Sequence, residues 1–268
     1  MVVAIKQMGL SMNTDRNIVL ITGGSKGIGF EMAKQLLKMN NKVIITGRDE
    51  EMLQVAAKQL GGVTTIQSDV SKPDNVEALY QRVAMEFPNL NLLINNAGAM
   101  QAVNLQMNSH SMERLTMEID VNLKGTIWTT NVFLPLLKKK PNAAIVNISS
   151  GLAFVPSPVV PVYCATKAAI HSYSLSLRAQ LSNTNIQVFE LAPPLTQTGM
   201  IDAFAREDLQ GVKIMSVPKL VAELVKGLSR NNNEIRPGLA NQLYLMSRFL
   251  PKLMLKVMSR SVERMQFD

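Results

Sequence analysis

Short apolar runs recur along the chain, and longer segments with apolar residues three and four positions apart lie between them. A run of consecutive apolar residues is typical of a strand buried on both faces of a parallel sheet. The strand-like runs are residues 18–21, 43–46, 63–67, 92–95, 145–148 and 186–191. The helix-length segments are residues 50–60, 75–87, 112–137 and 165–181, and a further helical pattern follows Phe30. This alternation predicts βαβ units and an α/β fold, with a doubly wound, mostly parallel sheet of about seven strands and helices on both faces.

The same pattern continues without an interdomain linker or an internal repeat, so we expect residues 1–268 to form a single domain. Residues 1–16 have no sustained apolar core, which predicts a flexible lead-in rather than a signal peptide. Residues 194–217 contain no clear strand and are expected to form a lid over the substrate, with three apolar side chains pointing inward. Those side chains are Met200, Ile201 and Phe204.

The last segment, residues 239–268, has the pattern of a basic amphipathic helix that is interrupted by Pro251. Its apolar positions are Leu243, Met246, Leu250, Leu253 and Val257, and its cations are Arg248, Lys252, Lys256 and Arg260. Three arrangements fit this pattern. The tail covers the substrate cleft or packs on a partner subunit, it makes a peripheral contact with an anionic membrane surface, or it is a solvated terminal helix.

Composition narrows the classes of protein that fit. The formal net charge is +8, which suits a phosphorylated ligand, but aromatic residues are only 5% and no basic patch is interleaved with them. We therefore expect no nucleic-acid partner. No apolar stretch approaches the roughly 18 residues of a membrane-spanning helix. The single cysteine, Cys164, excludes an internal disulfide and agrees with a reducing compartment, so a cytoplasmic location is expected. No metal site is predicted.

Three glycines, Gly23, Gly27 and Gly29, follow the first strand before the pattern turns helical. This layout places a helix N-terminus against a phosphate, because bare backbone lets a pyrophosphate approach and the amide donors favour its charge. The spacing is G-x-x-x-G-x-G rather than the G-x-G-x-x-G fingerprint, so a tight turn without a ligand stays open at this point. The cofactor-binding candidates in the turn are Gly23, Ser25, Lys26, Gly27, Ile28 and Gly29.

The end of the second strand bears on the choice between NADP(H) and NAD(H). In an NAD site an acidic residue there binds the adenosine ribose, but this chain has Gly47 followed by Arg48. A guanidinium pairs with a 2′-phosphate, and Lys26 in the glycine turn is placed to reach the same group. These residues favour NADP(H) as the cofactor. Asp49, one position later, keeps NAD(H) as the less favoured alternative.

Polar residues also follow the third and fourth strands. Asp69, with Val70 beside it, is a candidate acceptor for an adenine amino group, although aspartate also caps turns. After the fourth strand, Asn96, Ala97 and Gly98 combine turn chemistry with a backbone that a flat cofactor can pass closely. We expect all five residues to contact the cofactor.

A tyrosine and a lysine lie at positions i and i+4, and therefore on one face of a helix: Tyr163 and Lys167. An ammonium near a phenol favours the phenolate, which lowers a pKa of about 10 and lets the tyrosine exchange a proton with a carbonyl or alcohol oxygen. Ser150, after the fifth strand, is placed to hydrogen-bond the same oxygen. Asn122, inside a helix, holds a water, kinks the helix or is merely an exposed polar residue.

In this order along the chain, these motifs resemble those of the classical short-chain dehydrogenase/reductase family, over about residues 17–200. The resemblance implies a Rossmann-like fold and a catalytic tetrad of Asn122, Ser150, Tyr163 and Lys167. Tyr163 is then the general acid for reduction and the base for oxidation, while Lys167 lowers its pKa and binds the nicotinamide ribose. Ser150 orients the substrate oxygen, and Asn122 supports a water that relays the proton. Hydride passes between the nicotinamide and the substrate carbon.

Residues 86–91 and 233–238 resemble a narrower bacterial subgroup of that family, which is named after the lipoteichoic acid D-alanylation operon. Two features depart from the family pattern. Pro194 stands where a glycine usually follows the proline at Pro193, and the usual closing strand is replaced by a short one near residues 234–237. Pro193 and Thr198 remain cofactor-binding candidates, because Thr198 falls where the family has a threonine that contacts the carboxamide.

These residues predict an NADP(H)-dependent oxidoreductase that interconverts a carbonyl and a secondary alcohol. Few charges lie in residues 154–162, just before Tyr163, so a small, apolar substrate is expected. The resemblance implies a homo-oligomer, a dimer or a tetramer. Two alternatives stay open: a regulatory or scaffold protein that binds NADP(H) without turnover, and a membrane-surface reductase of lipid intermediates.

Overall fold

The computed structural model of the chain describes residues 12–106, 110–204 and 206–259. Within these ranges, seven strands form one sheet in the order β3-β2-β1-β4-β5-β6-β7. The strands are β1 (Ile18–Thr22), β2 (Lys42–Gly47), β3 (Thr64–Gln67), β4 (Leu92–Asn95), β5 (Ala143–Ile148), β6 (Ile186–Leu191) and β7 (Glu234–Ile235). All neighbouring strands pair in parallel. The doubly wound α/β sheet expected from the alternating pattern is thereby confirmed.

Helices cover both faces of this sheet. In the described ranges they are α1 (Gly27–Lys38), α2 (Glu50–Leu60), α3 (Pro73–Glu86), α4 (Met112–Glu118), α5 (Gly125–Lys138), α6 (Pro161–Gln180), α7 (Val217–Ser229), α8 (Leu239–Phe249) and α9 (Pro251–Ser259). Helices α1, α2 and α7 bury side chains such as Met32 and Leu224 against one face. Helices α3, α5 and α6 cover the other face with side chains such as Leu79 and Phe133. Each face thus has its own apolar core, as expected for strands that are apolar on both sides.

The strand order reverses at β1, which has β2 on one side and β4 on the other. The loops after β1 and β4 therefore diverge and leave a crevice at the carboxyl edge of the sheet, where ligands bind in such folds. The glycine turn follows β1, residues 96–98 follow β4 and Ser150 follows β5. The sequence-predicted site residues thus come together at one edge, because parallel strands end on the same side.

The helix expected over residues 112–137 is continuous but not regular. Helix α4 runs into a π-helical segment at Ile119–Lys124, and α5 follows directly. Asn122 lies in this segment with 1% of its surface exposed, so the exposed polar alternative is wrong. The helix is locally distorted around it, and such π segments are frequent at functional sites.

The ends of the elements differ from the sequence-based expectations in several places. Helix α6 begins one turn before residue 165, because Pro161 suits the first turn of a helix. Helix α7 was not predicted. Residues 1–11 of the expected flexible lead-in lie outside the described residues, but Met12 is buried in the core. Residues 12–16 are therefore anchored rather than free.

The expected lid, residues 194–217, contains two short 3-10 helices, Gly199–Ala203 and Arg206–Leu209, and a bridge between Thr196 and Met215 closes its base. Phe204 packs against the apolar cluster around Tyr163, as an inward-facing lid residue would. Met200 is 37% exposed and Ile201 is partly buried, so their inward orientation stays a prediction.

The amphipathic tail forms α8 and α9, which are separated at Leu250 because Pro251 begins a new helix. Its last predicted cation, Arg260, lies outside the described residues. No helix in the described part of the chain is long and apolar enough to cross a membrane.

Candidate active site

The glycine turn after β1 is tight, and side chains at its glycines would collide with its neighbours. Gly23 and Gly27 have φ values of +66° and +59°, which strongly favour glycine. A Cβ on Gly23 would lie 2.8 Å from Ala97 Cα, and one on Gly29 would overlap the Gly23 carbonyl oxygen. A Cβ on Gly27 would lie 3.7 Å from Thr198 Cγ2, so the loop after β6 runs alongside this turn. The turn therefore presents bare backbone at the carboxyl edge of the sheet.

Helix α1 begins at Gly27 with its N-terminus free for an anion. Lys26 occupies the N-cap position without a side-chain capping bond, and no acidic residue lies in the first turn. Ser25 and the partly buried Ile28 flank it. Unfilled amide donors, the helix dipole and an exposed lysine together fit a phosphate group.

Asn96 and Ala97 brace the glycine turn from the neighbouring strand β4. The Asn96 side chain donates two hydrogen bonds of 2.9 Å, to the carbonyl oxygens of Thr22 and Gly23. Thr22 Oγ1 in turn accepts from the backbone amides of Asn96 and Ala97, at 3.1 and 3.0 Å. Sequence analysis missed Thr22, whose signal is a hydroxyl at the end of an otherwise apolar strand. These residues shape the turn as well as lining the crevice.

The end of β2 presents the cation Arg48, followed by Asp49 at the start of α2. Arg48 is exposed, and among the described residues no ion pair involves its guanidinium. Asp49 caps helix α2, because its Oδ1 accepts from Met52 N at 3.0 Å. A carboxylate engaged in this way is turned toward its own helix rather than toward a ribose. Asp49, the residue that kept NAD(H) as an alternative, is therefore explained as the N-cap of α2.

Asp69 and Val70 follow β3 at the next position along the crevice. Asp69 Oδ1 accepts hydrogen bonds from Ser71 N at 3.0 Å and Ser71 Oγ at 2.7 Å, which is the turn chemistry left open by the sequence. Val70 is buried, and a Cβ on Gly125 would lie 2.9 Å from its Cγ2. Helix α5 thus packs tightly beneath this part of the site.

Ser150, Tyr163 and Lys167 come together in a buried cluster. Their exposed fractions are 7%, 8% and 4%, respectively. The Ser150 side chain lies beside the Tyr163 hydroxyl and lowers the pKa of that tyrosine. Lys167 Nζ lies 5.5 Å from the centroid of the Tyr163 ring and donates a hydrogen bond of 2.9 Å to Ile148 O, at the end of β5. The loop after β5 and the face of α6 therefore meet as the i, i+4 spacing predicts.

The acidity of this cluster differs from the sequence-based expectation. Burial raises the pKa of Tyr163 to about 12, and the interaction with Ser150 opposes this only in part. Burial also lowers the pKa of Lys167 to about 8. The direction of the Tyr163 pKa is therefore opposite to the expected net lowering, because the cost of burying a phenolate is the largest influence on it. Tyr163 is a neutral phenol at neutral pH.

Asn122 ties the loop after β4 to helix α6. Its side-chain amide donates to Ala99 O at 2.9 Å and Thr166 Oγ1 at 3.0 Å, and its Oδ1 accepts from Ala99 N at 2.8 Å. A Cβ on Gly98 would lie 3.4 Å from Asn122 Oδ1 and 3.6 Å from Lys167 Nζ. The lack of a side chain at Gly98 thus leaves room in front of the lysine.

The two prolines after β6 accept hydrogen bonds in different loops. Pro193 O accepts from Gly151 N at 2.8 Å and so supports the loop after β5 that carries Ser150 (residues 149–160, the serine loop). Pro194 O accepts from Thr196 Oγ1 at 2.7 Å. Both prolines are buried. Pro194, where the family pattern has glycine, thus fixes the start of its own loop.

Two buried acidic residues near the cluster escaped sequence analysis. Glu118 lies four residues before Asn122, a spacing that places both on one helix face and was a readable signal. Glu190 accepts from Ser149 Oγ at 2.5 Å and pairs with His171 Nδ1 at 2.8 Å. In the described residues, no group of three or more histidine, cysteine or acidic side chains could hold a metal ion.

Comparison with known proteins identifies the family. The profile of the short chain dehydrogenase family matches residues 17–209. The oxidoreductase DltE of Bacillus subtilis is 44% identical over 226 residues, which cover 84% of this chain and 89% of that protein. The Staphylococcus epidermidis oxidoreductase SERP2049 is 32% identical, over 69% of this chain and 80% of its own length.

Solved structures agree on the fold. A Burkholderia phymatum short chain dehydrogenase/reductase in complex with NAD superposes with a TM-score of 0.79 at 22% identity, over 90% of this chain and 96% of that one. A Brucella melitensis 3-ketoacyl-(acyl-carrier-protein) reductase complexed with NADH gives a TM-score of 0.75 at 25% identity, over 82% and 94% of the two chains. On the matched profile and the identity with DltE, this chain belongs to the short-chain dehydrogenase/reductase family of oxidoreductases.

Proposed function

We propose that this protein is an NADP(H)-dependent oxidoreductase that interconverts a carbonyl and a secondary alcohol, with Tyr163 as the general acid/base. The observation that carries the proposal is the buried cluster of Ser150, Tyr163 and Lys167 at the mouth of the crevice. Solved relatives of the same fold hold NAD and NADH, which supports a nicotinamide cofactor. That cofactor, when bound, supplies the hydride.

Tyr163 holds the proton that the reaction needs. With a pKa of about 12, its hydroxyl is protonated at neutral pH, which is the correct state for donation to a carbonyl oxygen during reduction. Ser150 orients the same oxygen by a hydrogen bond, and the Lys167 ammonium stabilises negative charge as it develops on the phenol. Asn122 fixes the loop after β4 relative to α6, because its side chain is hydrogen-bonded to Ala99 and to Thr166.

The preference for NADP(H) rests on Arg48 and Lys26. Both are exposed cations, and the end of β2 adjoins the glycine turn, because a Cβ on Gly47 would lie 3.5 Å from Ser25 Oγ. Asp49 is engaged in capping α2. A guanidinium that binds a phosphate bidentately contributes more than a neutral hydrogen bond. In this proposal the pyrophosphate contacts Gly23, Ser25, Gly27, Ile28 and Gly29, the adenine contacts Asp69 and Val70, and the nicotinamide side contacts Asn96, Ala97, Gly98, Pro193 and Thr198.

The substrate is a small, apolar carbonyl compound or alcohol. An apolar cluster packs with Tyr163: Met100, Leu152, Val159, Val160, Ala203 and Phe204 belong to or pack against it. An apolar substrate would bury its own surface against these side chains, whereas a charged group in contact with them would lose its hydration.

The protein acts as a homo-oligomer. A groove of about 370 Å³ lies between α5 and α6, lined by Trp128, Leu134 and Tyr173 among others. Apolar grooves between surface helices of this kind are suited to a self-complementary contact with a second copy.

A fluorescence titration with NADPH and NADH in parallel, followed by a carbonyl screen with the tighter binder, tests the proposal. We expect tighter NADPH binding and turnover of apolar ketones or aldehydes. Equal binding of NADH would remove the role of Arg48 and Lys26. Cofactor binding with no turnover of any carbonyl or alcohol would favour the regulatory alternative.

A further inference from the structure

A fully buried carboxylate lies beside the catalytic cluster with one oxygen unused. Glu118, the last residue of α4, has 0% of its surface exposed. Its Oε1 accepts from Gln101 N at 3.0 Å, whereas Oε2 is buried and has no hydrogen-bond partner among the described residues. An unpaired buried carboxylate oxygen is costly, and carboxylates are rarely buried without a compensating charge. A buried carboxylate such as that of Glu118 therefore calls for a compensating charge nearby.

Glu118 holds the same loop as Asn122, a residue of the proposed active site. One turn later on the same face, Asn122 fixes Ala99, while Glu118 fixes Gln101 two residues further along the same loop. The two side chains thus hold the first part of the loop after β4 at two points. Across this loop, α6 presents Lys167 and Tyr163, together with the thiol of Cys164.

The charge of Glu118 acts on all three of these groups. It raises the pKa of Lys167 against the lowering effect of burial, and it raises the pKa values of Tyr163 and Cys164. Burial raises the pKa of Glu118 itself, while the Gln101 amide and the Lys167 charge lower it. Among these groups, Lys167 is the one cation described, so the carboxylate and the ammonium stabilise each other.

We propose that Glu118 is a positioning residue of the active site, whose buried carboxylate is the counter-charge that keeps Lys167 an ammonium beside Tyr163. This inference rests on the proposed function. It adds to the four residues of the family pattern a fifth, which acts through Lys167 rather than on the substrate.

The first test is the pH dependence of turnover in the variant Glu118→Gln. Glutamine keeps an acceptor for Gln101 N but removes the negative charge, so the pKa values of Lys167 and Tyr163 should both fall. We expect the pH profiles of kcat/KM for reduction and for oxidation to move to lower pH by about one unit. A loss of rate with an unmoved profile would indicate a merely structural role and overturn the proposal.

Asp120→Asn is the matched control. Asp120 lies two residues further along, is partly exposed and pairs with Lys124 at 2.7 Å. Solvent screens this pair, so removing its charge should leave the pH profile within about 0.2 units of the parent. An equal shift in both variants would show a general charge effect and would count against a specific role for Glu118.

The second test needs no turnover. In the cofactor-free protein with 13C-labelled lysines, the Cε signal of Lys167, assigned by its absence from Lys167→Met, should titrate near pH 8. Its midpoint should fall by about one unit in Glu118→Gln. An unmoved midpoint overturns the proposal even when the enzyme is active, whereas a shifted midpoint without any turnover retains the pairing and removes the proposed function.

A reciprocal measurement on Lys167→Met tests the same proposal if the Glu118→Gln variant does not fold. Linkage requires that loss of the Lys167 ammonium raise the pKa of Glu118 by the same amount. In Lys167→Met, the Cδ signal of Glu118 should therefore titrate about one unit higher than in the parent. An equal midpoint in the two proteins would overturn the proposal.

Discussion

Lys167 Nζ lies 5.5 Å from the centroid of the Tyr163 ring, and it is anchored there by a 2.9 Å hydrogen bond to Ile148 O. The ammonium thus approaches the phenol from a fixed point at the end of β5. Both groups are buried, so the ammonium and a phenolate would each lose hydration at this place.

Tyr163→Phe should lower kcat by about 10²–10⁴-fold, because the proton donor is removed while the ring packing is kept. NADPH affinity should stay within about twofold of the parent, since the hydroxyl contributes little to the pyrophosphate and adenosine contacts. Steady-state rates and a fluorescence titration on the same preparation give both numbers. Full activity in this variant would contradict the role proposed for Tyr163.

Lys167→Met should inactivate the protein and change the pH dependence of its stability. The pKa of Lys167 falls from 10.5 to about 8 on folding, so the charged form is disfavoured in the folded state. The penalty is fully present below pH 8 and disappears as the pH rises from 8 to 10.5. We expect the free energy of unfolding of the variant, measured relative to that of the parent, to fall by about 3 kcal/mol as the pH rises through this window. Urea unfolding at several pH values measures this, and a constant difference would contradict it.

Arg48→Asp should reverse the cofactor preference. Loss of a charge-assisted contact with the 2′-phosphate, and repulsion by the new carboxylate, should weaken NADPH binding by about 10- to 100-fold. NADH binding should change little or improve. Arg82→Ala is the control, because Arg82 is exposed on α3 and pairs only locally with Glu86 at 2.9 Å. An NADPH affinity unaffected by Arg48→Asp would assign the phosphate contact elsewhere.

Tyr244→Ala should loosen the serine loop from the side of the C-terminal tail. The Tyr244 ring lies 5.1 Å from that of Phe154 and 3.8 Å from the Arg236 guanidinium, and the preceding Leu243 contacts the backbone at Gly151. We expect a loss of about 2 kcal/mol in stability, measured by urea unfolding, and a raised KM.

Phe249→Ala, on the same helix α8, is the control for that prediction. Phe249 is 79% exposed, so its truncation should change stability by less than about 0.5 kcal/mol and leave KM unchanged. The contact of α8 with the serine loop supports the first of the three arrangements considered for the tail. Equal effects of the two variants would argue against that arrangement.

Trp128→Glu should dissociate the proposed homo-oligomer. Trp128 lines the groove between α5 and α6, and a carboxylate there would be buried without a partner on association. Light scattering after size-exclusion chromatography should show the parent as a dimer or tetramer and the variant as a smaller species. Met85→Glu, at a 76% exposed position on α3, should keep the parent's mass. A monomeric parent would remove this part of the proposal.

Much of this protein could be determined from the sequence alone, because the decisive signals are local. The apolar runs and helical periodicities set the order of the elements, and parallel strands end at one edge whatever the details of packing. Gly23, Ser150 and Tyr163 could therefore be assigned to one site before any coordinate was known. The i, i+4 relation of Tyr163 and Lys167 is a property of the helix itself.

The properties that only the tertiary structure decided depend on neighbours distant in sequence. The direction of the Tyr163 pKa follows from burial on all sides, which no spacing of residues reveals. Asn96 is hydrogen-bonded to Thr22, which lies 74 positions earlier in the sequence. The Asp49 carboxylate is engaged by a backbone amide of the helix that it caps. The unpaired oxygen of Glu118 is visible only once α4, the loop after β4 and α6 are packed together. Desolvation and hydrogen-bond satisfaction are sums over the whole surroundings of an atom, and the chain supplies those surroundings only by folding.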